Sequence, residues 1–348
     1  MNFNVPHRPR AVIFGCEGTV LSSVEKAFFR ATDPVGFILF ARNCENPKQV
    51  KKLVYDLRDS VRRSDAPVLI DEEGGRVQRL GPPCWRNTPS ARSLVEAVET
   101  HDPNRVAEAV RLNARLLAHD LRTLGITVDC LPVLDILQPG AHDIIGDRAF
   151  GSDAEKITRL GKAACEGLLQ GGILPVIKHI PGHGRSTVDT HEELPTVDAS
   201  RDTLEATDFA PFRSLSDMPW AMTAHVIYNV LDRINPATHS AMIVRGLIRE
   251  DFGFSGVILS DDLSMKALSG GLGDRARKAI EAGCDIALHC SGKMDEMIKV
   301  ADQTESISED TAARIIRGEV LRRNSEQRTP FNADDALVRL KGLTGGWI

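Results

Sequence analysis

Three short segments carry side chains suited to nucleophilic attack and proton transfer. SDDLSM sets Asp261 and Asp262 directly behind the apolar run VILS, 257–260. A carboxylate delivered rigidly at the end of an apolar strand is a candidate glycosyl-accepting nucleophile. Neighbouring side chains on a strand point to opposite faces, so Asp261 is expected to serve and Asp262 to cap the following turn. In KHIPGHGRSTVDTHEELP, 178–195, His179 and His183 stand four apart, but Pro181, Gly182 and Gly184 rule out a regular helix, and no metal site is expected. The same glycines describe a loop that leaves a strand and ends in Asp189-Thr190-His191 ahead of Pro195. Residues two apart in an extended segment share a side. Asp189 can therefore hold one imidazole nitrogen of His191 and leave the other to move a proton; the plain alternative is a surface loop histidine. In IDEEGGRVQRL, 70–80, the chain turns through Gly74 and Gly75 and presents Arg76 and Arg79 beside Asp71. Asp71 and Arg79 suit the gripping of vicinal hydroxyls, whereas Arg76 with Glu72 and Glu73 reads as ion pairing that ties the turn down.

These groups need a scaffold that brings distant segments together. Short apolar, β-branched runs recur at 11–15, 36–40, 67–70, 127–131, 174–178, 221–224, 256–259 and 286–289. Between them lie helical periodicities at 22–31, 47–63, 103–124, 154–170, 201–215, 240–249 and 274–282, with Ser22 and Asn46 placed as N-caps. Eight such units predict an α/β fold of the (β/α)8 TIM type. A doubly wound sheet usually has fewer strands and a glycine-rich first turn, and Gly15-Cys16-Glu17-Gly18 is not one. The stretch 306–348 reads as two flanking helices, so one domain is expected over 1–348. In a barrel the polar groups behind each apolar run converge on one mouth. That nominates Asp71, Lys178, His179, His225, Asp261, Asp262 and His289, with Arg148 and 183–191 on loops.

The 348 residues are 42% hydrophobic and 26% charged, with a net charge of −5 and no run of five like charges, so neither nucleic acid nor an acidic tail is indicated. The apolar run 11–14 is too short for a signal-peptide core, and no segment approaches a membrane span; a cytoplasmic protein without membrane contact is expected. Seven cysteines are scattered without a C-x-x-C pair and read as buried free thiols.

In order and spacing, GFILFARNCENPKQV, IDEEGGRVQRL, the GDRAFG loop, KHIPGHG, DTHEELP and SDDLSM together resemble the family-3 glycoside hydrolases, specifically the short bacterial β-N-acetylhexosaminidases. The matching pieces run from Gly36 to about Gly283. The resemblance implies Asp261 as nucleophile, His191 as acid/base and Asp189 as its partner. It implies that Asp71, Arg79, Arg148, Lys178 and His179 hold an N-acetylglucosamine unit, without metal or cofactor. It further implies a covalent glycosyl-enzyme and a substrate in which N-acetylglucosamine is linked to 1,6-anhydro-N-acetylmuramic acid, in cell-wall recycling by a monomer. Longer relatives add a second domain, and many of them take a carboxylic acid/base from it; here a barrel loop is expected to supply it. Ile180 and Thr190 stand where Phe and Ser are usual, and Ile180 is expected to soften packing beneath the loop. The rival readings are a β-glucosidase or β-xylosidase of the same fold and a sugar-binding barrel without catalysis.

Overall fold

The computed structural model describes residues 8–98, 102–190, 192–326 and 331–347. Eight parallel strands close into a barrel: β1 (Arg10–Phe14), β2 (Pro34–Leu39), β3 (Val68–Ile70), β4 (Val128–Asp129), β5 (Leu174–Ile180), β6 (Trp220–Thr223), β7 (Val257–Asp262) and β8 (Ile286–His289), each bonded to the next and β8 to β1. Alternation along the strands sorts the core into two layers. Ile13, Leu69, Val128, Val176, Met222, Leu259 and Leu288 form one cluster inside the barrel. Their chain neighbours Val12, Val68, Ile70, Ile177, Ala221, Ile258 and Ala287 join the larger cluster under the helices.

The helices follow from their caps. Ser22 and Glu25 form a reciprocal capping box at Ser23–Thr32, and the Asn46 side chain accepts from the Gln49 amide ahead of Pro47–Ser60. Helices Pro103–Leu124, Ala154–Gln170 and Leu272–Ala282 lie where periodicity puts them. The single helix expected over 201–215 is two, Arg201–Ala206 and Ala210–Ser214, because Pro211 lacks the amide needed to continue a helix and sits in the first turn of the second. The segment expected over 240–249 is Met242–Asp251, wound as a π-helix. Helices Ala91–Ala97 and Met294–Ala301, and the two-residue strands Thr196–Val197 and Ile227–Tyr228 that pair in parallel, were not expected from the sequence.

Helix Glu309–Ser325 lies against the barrel, where Arg322 Nη1 donates to the Gly172 carbonyl at 2.8 Å and Arg314 Nη1 to Asp285 Oδ1 at 2.7 Å, and helix Ala333–Leu343 packs on helix Pro103–Leu124. Among the described residues no helix is long and apolar enough to cross a membrane. All seven cysteines are free thiols, but the expectation that they are buried fails at Cys84, which is exposed, and Cys44, which is half-buried.

Candidate active site

The C-terminal ends of the strands surround a cavity of about 330 Å³. Asp71, Arg79, Arg148, Lys178, His179 and Asp261 all line it, together with Phe40, Arg76, His183, Thr190, Asp262 and Cys290. Asp189 does not; it sits half-buried in the loop behind β5, its carbonyl accepting from the amides of Glu192 and Glu193, each at 2.9 Å. His191 lies outside the described residues.

Two register slips determine which side chains arrive. Lys178 pairs with Met222 and Ile180 with Thr223, so β5 carries one extra residue against β6. The extra residue lets consecutive side chains, Lys178 and His179, both reach the cavity. Leu259 pairs with Ile286 and Asp262 with Leu288, which gives β7 an extra residue against β8. Here strict alternation fails: Asp262 lines the cavity as Asp261 does. The Asp262 carboxylate is nonetheless committed, accepting from the Ser264 amide at 3.1 Å and the Cys290 amide at 3.2 Å, which is the turn-capping role expected of it. Asp261 Oδ1 accepts from the Asp262 amide at 2.8 Å. Among the described residues, Oδ2 takes no hydrogen bond.

A chain of alternating charge crosses the cavity wall. Arg79 Nη2 meets Asp71 Oδ2 at 3.4 Å, and Lys178 Nζ bridges Asp71 Oδ1 at 2.8 Å and Glu73 Oε1 at 2.7 Å. Glu73 in turn receives a bidentate grip from Arg148, Nε at 2.9 Å and Nη2 at 2.8 Å. Burial pushes the Asp71 and Glu73 carboxyls up, but the adjacent cations outweigh it and hold both below their ordinary values. Burial pushes Lys178 and Arg148 down, and their carboxylate partners lift both above theirs. Three cations and two carboxylates leave one excess positive charge on this wall, which Asp261 balances. Asp261 is ionised: burial raises its pKa, while His179, His225, the Asp262 amide and Lys178 more than reverse the rise.

Behind the wall, Asp135 organises the loop. Its Oδ1 accepts from the amides of His179 at 3.2 Å and His183 at 2.7 Å, and its Oδ2 meets His179 Nδ1 at 2.7 Å. Burial pushes Asp135 up, yet His179 and the His183 amide hold it low, so it is a carboxylate and His179 Nδ1 is the donor, leaving Nε2 for the cavity. Such close docking needs Gly184, where a Cβ would stand 1.8 Å from the Ile136 carbonyl oxygen. Burial pushes the His183 imidazole down to about 4, so it is neutral.

Several expectations need correction. Glu73 does not pair with Arg76; Arg76 reaches the GDRAFG loop instead, with Nε 3.1 Å from Asp147 Oδ1 and Nη1 3.3 Å from Asp143 Oδ2. His225 and His289 do not line the cavity. His225 is buried between Thr238 Oγ1 at 2.7 Å and the Asp262 carbonyl at 3.1 Å, and His289 Nε2 meets Ser291 Oγ at 2.9 Å. Glu73 and Asp135 were missed as parts of the site, although Asp135 follows LPVL just as Asp71 follows VLI. Ile180 is fully buried in β5. Among the described residues no group of three or more His, Cys, Asp or Glu side chains is placed to hold a metal ion.

Residues 22–317 match the model of the glycosyl hydrolase family 3 N-terminal domain. A β-hexosaminidase of Alkalilimnicola ehrlichii is 39% identical over 284 residues, covering 80% of each chain. One of Neisseria gonorrhoeae is 38% identical over 293 residues, covering 82% of this chain and 80% of its own. The crystal structure of NagZ from Neisseria gonorrhoeae in complex with N-trifluoroacetyl-D-glucosamine superposes with a TM-score of 0.85 at 34% identity, covering 98% of this chain and 100% of that one. A family 3 β-N-acetylglucosaminidase from Paenibacillus gives a TM-score of 0.84 at 30% identity; 96% of this chain is covered but 66% of that longer one. With its barrel, its cavity and these relatives, the chain belongs to glycosyl hydrolase family 3.

Proposed function

We propose that this chain is a retaining exo-β-N-acetylglucosaminidase, folded as one domain over 1–348, that removes N-acetylglucosamine from 1,6-anhydro-muropeptides during peptidoglycan recycling in the cytoplasm. The observation that carries the reading is the ionised Asp261 at the end of β7, with one carboxylate oxygen uncommitted among the described residues and facing a cavity of about 330 Å³. That volume suits a single sugar unit. Balanced charge on the wall suits a neutral one, with Asp71, Arg79, Arg148, Lys178 and His179 as its polar contacts.

In the first step Asp261 Oδ2 attacks C1 as the C1–O bond to the aglycone breaks, and His191, oriented by Asp189, gives its proton to the departing oxygen. In the second step water attacks C1, the Asp261–C1 bond breaks and His191 takes the proton back. The configuration at C1 is inverted twice and so retained. The relatives named β-hexosaminidase and the N-acetylglucosamine analogue in NagZ support a 2-acetamido sugar as substrate.

Two comparisons test the reading. An aryl N-acetyl-β-glucosaminide is turned over much faster than the matching aryl glucoside; equal rates would point to a β-glucosidase. His191→Ala slows substrates with poor leaving groups far more than those with good ones, and equal losses would remove His191 as the acid.

A further inference from the structure

We propose that the ring of Phe40 positions Arg79, and that the π face of this ring sets how firmly the sugar is held. The inference rests on the reading of Arg79 as a contact of the sugar. Phe40 follows β2 directly and lines the cavity. Its place is fixed through the main chain: the Phe40 amide donates to Asn43 Oδ1 at 2.9 Å, and buried Asn43 donates from Nδ2 to the carbonyls of Cys16 at 3.1 Å and Gly18 at 2.8 Å. Two guanidinium groups lie over the ring, Arg42 with Cζ 4.9 Å from the centroid and Arg79 with Cζ 5.3 Å from it.

These two arginines are held very differently. Arg42 is anchored to the main chain, with Nε donating to the Cys16 carbonyl at 3.1 Å and Nη2 to the Cys290 carbonyl. Arg79 is not. Its Nη2 meets Asp71 Oδ2 at 3.4 Å, a long contact, while Lys178 takes Asp71 Oδ1 at 2.8 Å. Its Nε is buried without a partner, and among the described residues Nη1 makes no hydrogen bond or ion pair. Arg148, by contrast, is gripped by Glu73 through bonds of 2.9 and 2.8 Å. Beyond one stretched ion pair, the face of Phe40 is what remains to fix the direction of the Arg79 guanidinium.

An aromatic in this position has a chemical consequence. A carboxylate there would accept from the guanidinium fork and use up N–H groups that a substrate needs. A ring attracts the cation through its quadrupole and meets the flat face of the guanidinium, so it takes none of them. Arg79 is thereby steered while its terminal N–H groups stay free to donate to sugar hydroxyl oxygens. Nor does the ring add charge to a wall whose excess Asp261 already balances. Phe40 is thus a positioning residue that acts on the sugar through Arg79.

The test is a series at position 40 in the full-length protein, read as the inhibition constant of N-acetylglucosamine against turnover of an aryl N-acetylglucosaminide. Phe40 is exchanged for its mono-, di- and trifluorinated forms, which nearly keep its shape and strip the π face of negative charge in steps. The constant should rise at each step, and Phe40→Leu, which has no π face, should raise it roughly two- to thirtyfold. A side chain that only fills space would give a flat series. Arg79→Gln identifies the route: it should raise the constant by itself, and Phe40→Leu should add nothing further in that background. The proposal is overturned by a flat fluorinated series, or by losses from Phe40→Leu and Arg79→Gln that simply add. Should Arg79→Gln hold the sugar as the wild type does, Arg79 is no contact of the sugar, and that separate result removes the reading of Arg79 and the proposal with it.

Discussion

Replacing Glu73 by Gln is the sharpest probe of the charge chain behind the cavity. The carboxylate is almost completely shielded from solvent and takes three charge-assisted hydrogen bonds: from Lys178 at 2.7 Å and from Arg148 at 2.8 and 2.9 Å. Glutamine keeps the shape but supplies one acceptor oxygen, and its amide turns two donors toward a guanidinium or an ammonium. Lys178 itself is buried, so its charge would be left with Asp71 alone. Breaking a buried pair from one side costs roughly 3–5 kcal/mol, a large part of the about 5–15 kcal/mol that holds a typical domain together. Urea denaturation at neutral pH, followed by circular dichroism, measures the loss directly. The pH dependence has a definite sign. Burial raises the Glu73 pKa, but Arg148 and Lys178 bring it well below the usual Glu range, so on acidification the unfolded chain takes up this proton first. The stabilisation is thus complete at neutral pH and is lost as pH falls through the folded-state pKa; Glu73→Gln removes that part of the acid slope. A loss of less than about 1 kcal/mol at neutral pH, with the wild-type acid slope intact, would refute the claim that Glu73 anchors Lys178 and Arg148.

Asp135→Asn should lower kcat/KM on an aryl N-acetylglucosaminide on the order of ten- to hundredfold, because one amide cannot accept from two backbone N–H groups and from His179 Nδ1–H together; a change within twofold would mean that Asp135 does not position His179. Gly184→Ala must push the loop off the Ile136 carbonyl, and a loss of about 1–3 kcal/mol together with reduced turnover is expected in parallel denaturation and rate measurements. Burial raises Glu72 to about 7, and its Oε2 accepts from the amides of Arg79 at 2.9 Å and Leu80 at 3.0 Å. The folded state therefore holds this proton longer than the unfolded chain, and wild-type stability should decline as pH rises from the ordinary Glu range to about 7. Glu72→Gln keeps a carbonyl oxygen for both amides and should flatten that decline in denaturation curves between pH 5 and 8.

Periodicity made the barrel readable, since each strand is a short apolar run with a helical pattern behind it. It could not show the split at Pro211 in a segment otherwise amphipathic, nor pairings two residues long. The site was legible where one rule sufficed: a polar residue at a strand end. The rule over-reached at His225 and His289, because Met222, Leu288 and Cys290 take the cavity-facing positions and alternation turns the histidines away. Lys178 and His179 both line the cavity as the rule nominates, whereas alternation fell short at Asp261–Asp262, where a register slip admits two consecutive side chains, and such slips leave no mark in composition. Glu73 was read as a local ion pair because Arg76 lies three residues on, whereas its partners Arg148 and Lys178 come from other βα units.

The central claim is that the carboxylate of Asp261 bonds to the sugar. Incubating the protein with a 2-acetamido-2-deoxy-5-fluoroglycoside and mapping the labelled peptide by mass spectrometry tests it most directly. The expected result is one added sugar per chain, carried on Asp261 in SDDLSM and absent from Asp261→Ala. A label on any other residue, or turnover by Asp261→Ala at the wild-type rate, would contradict it.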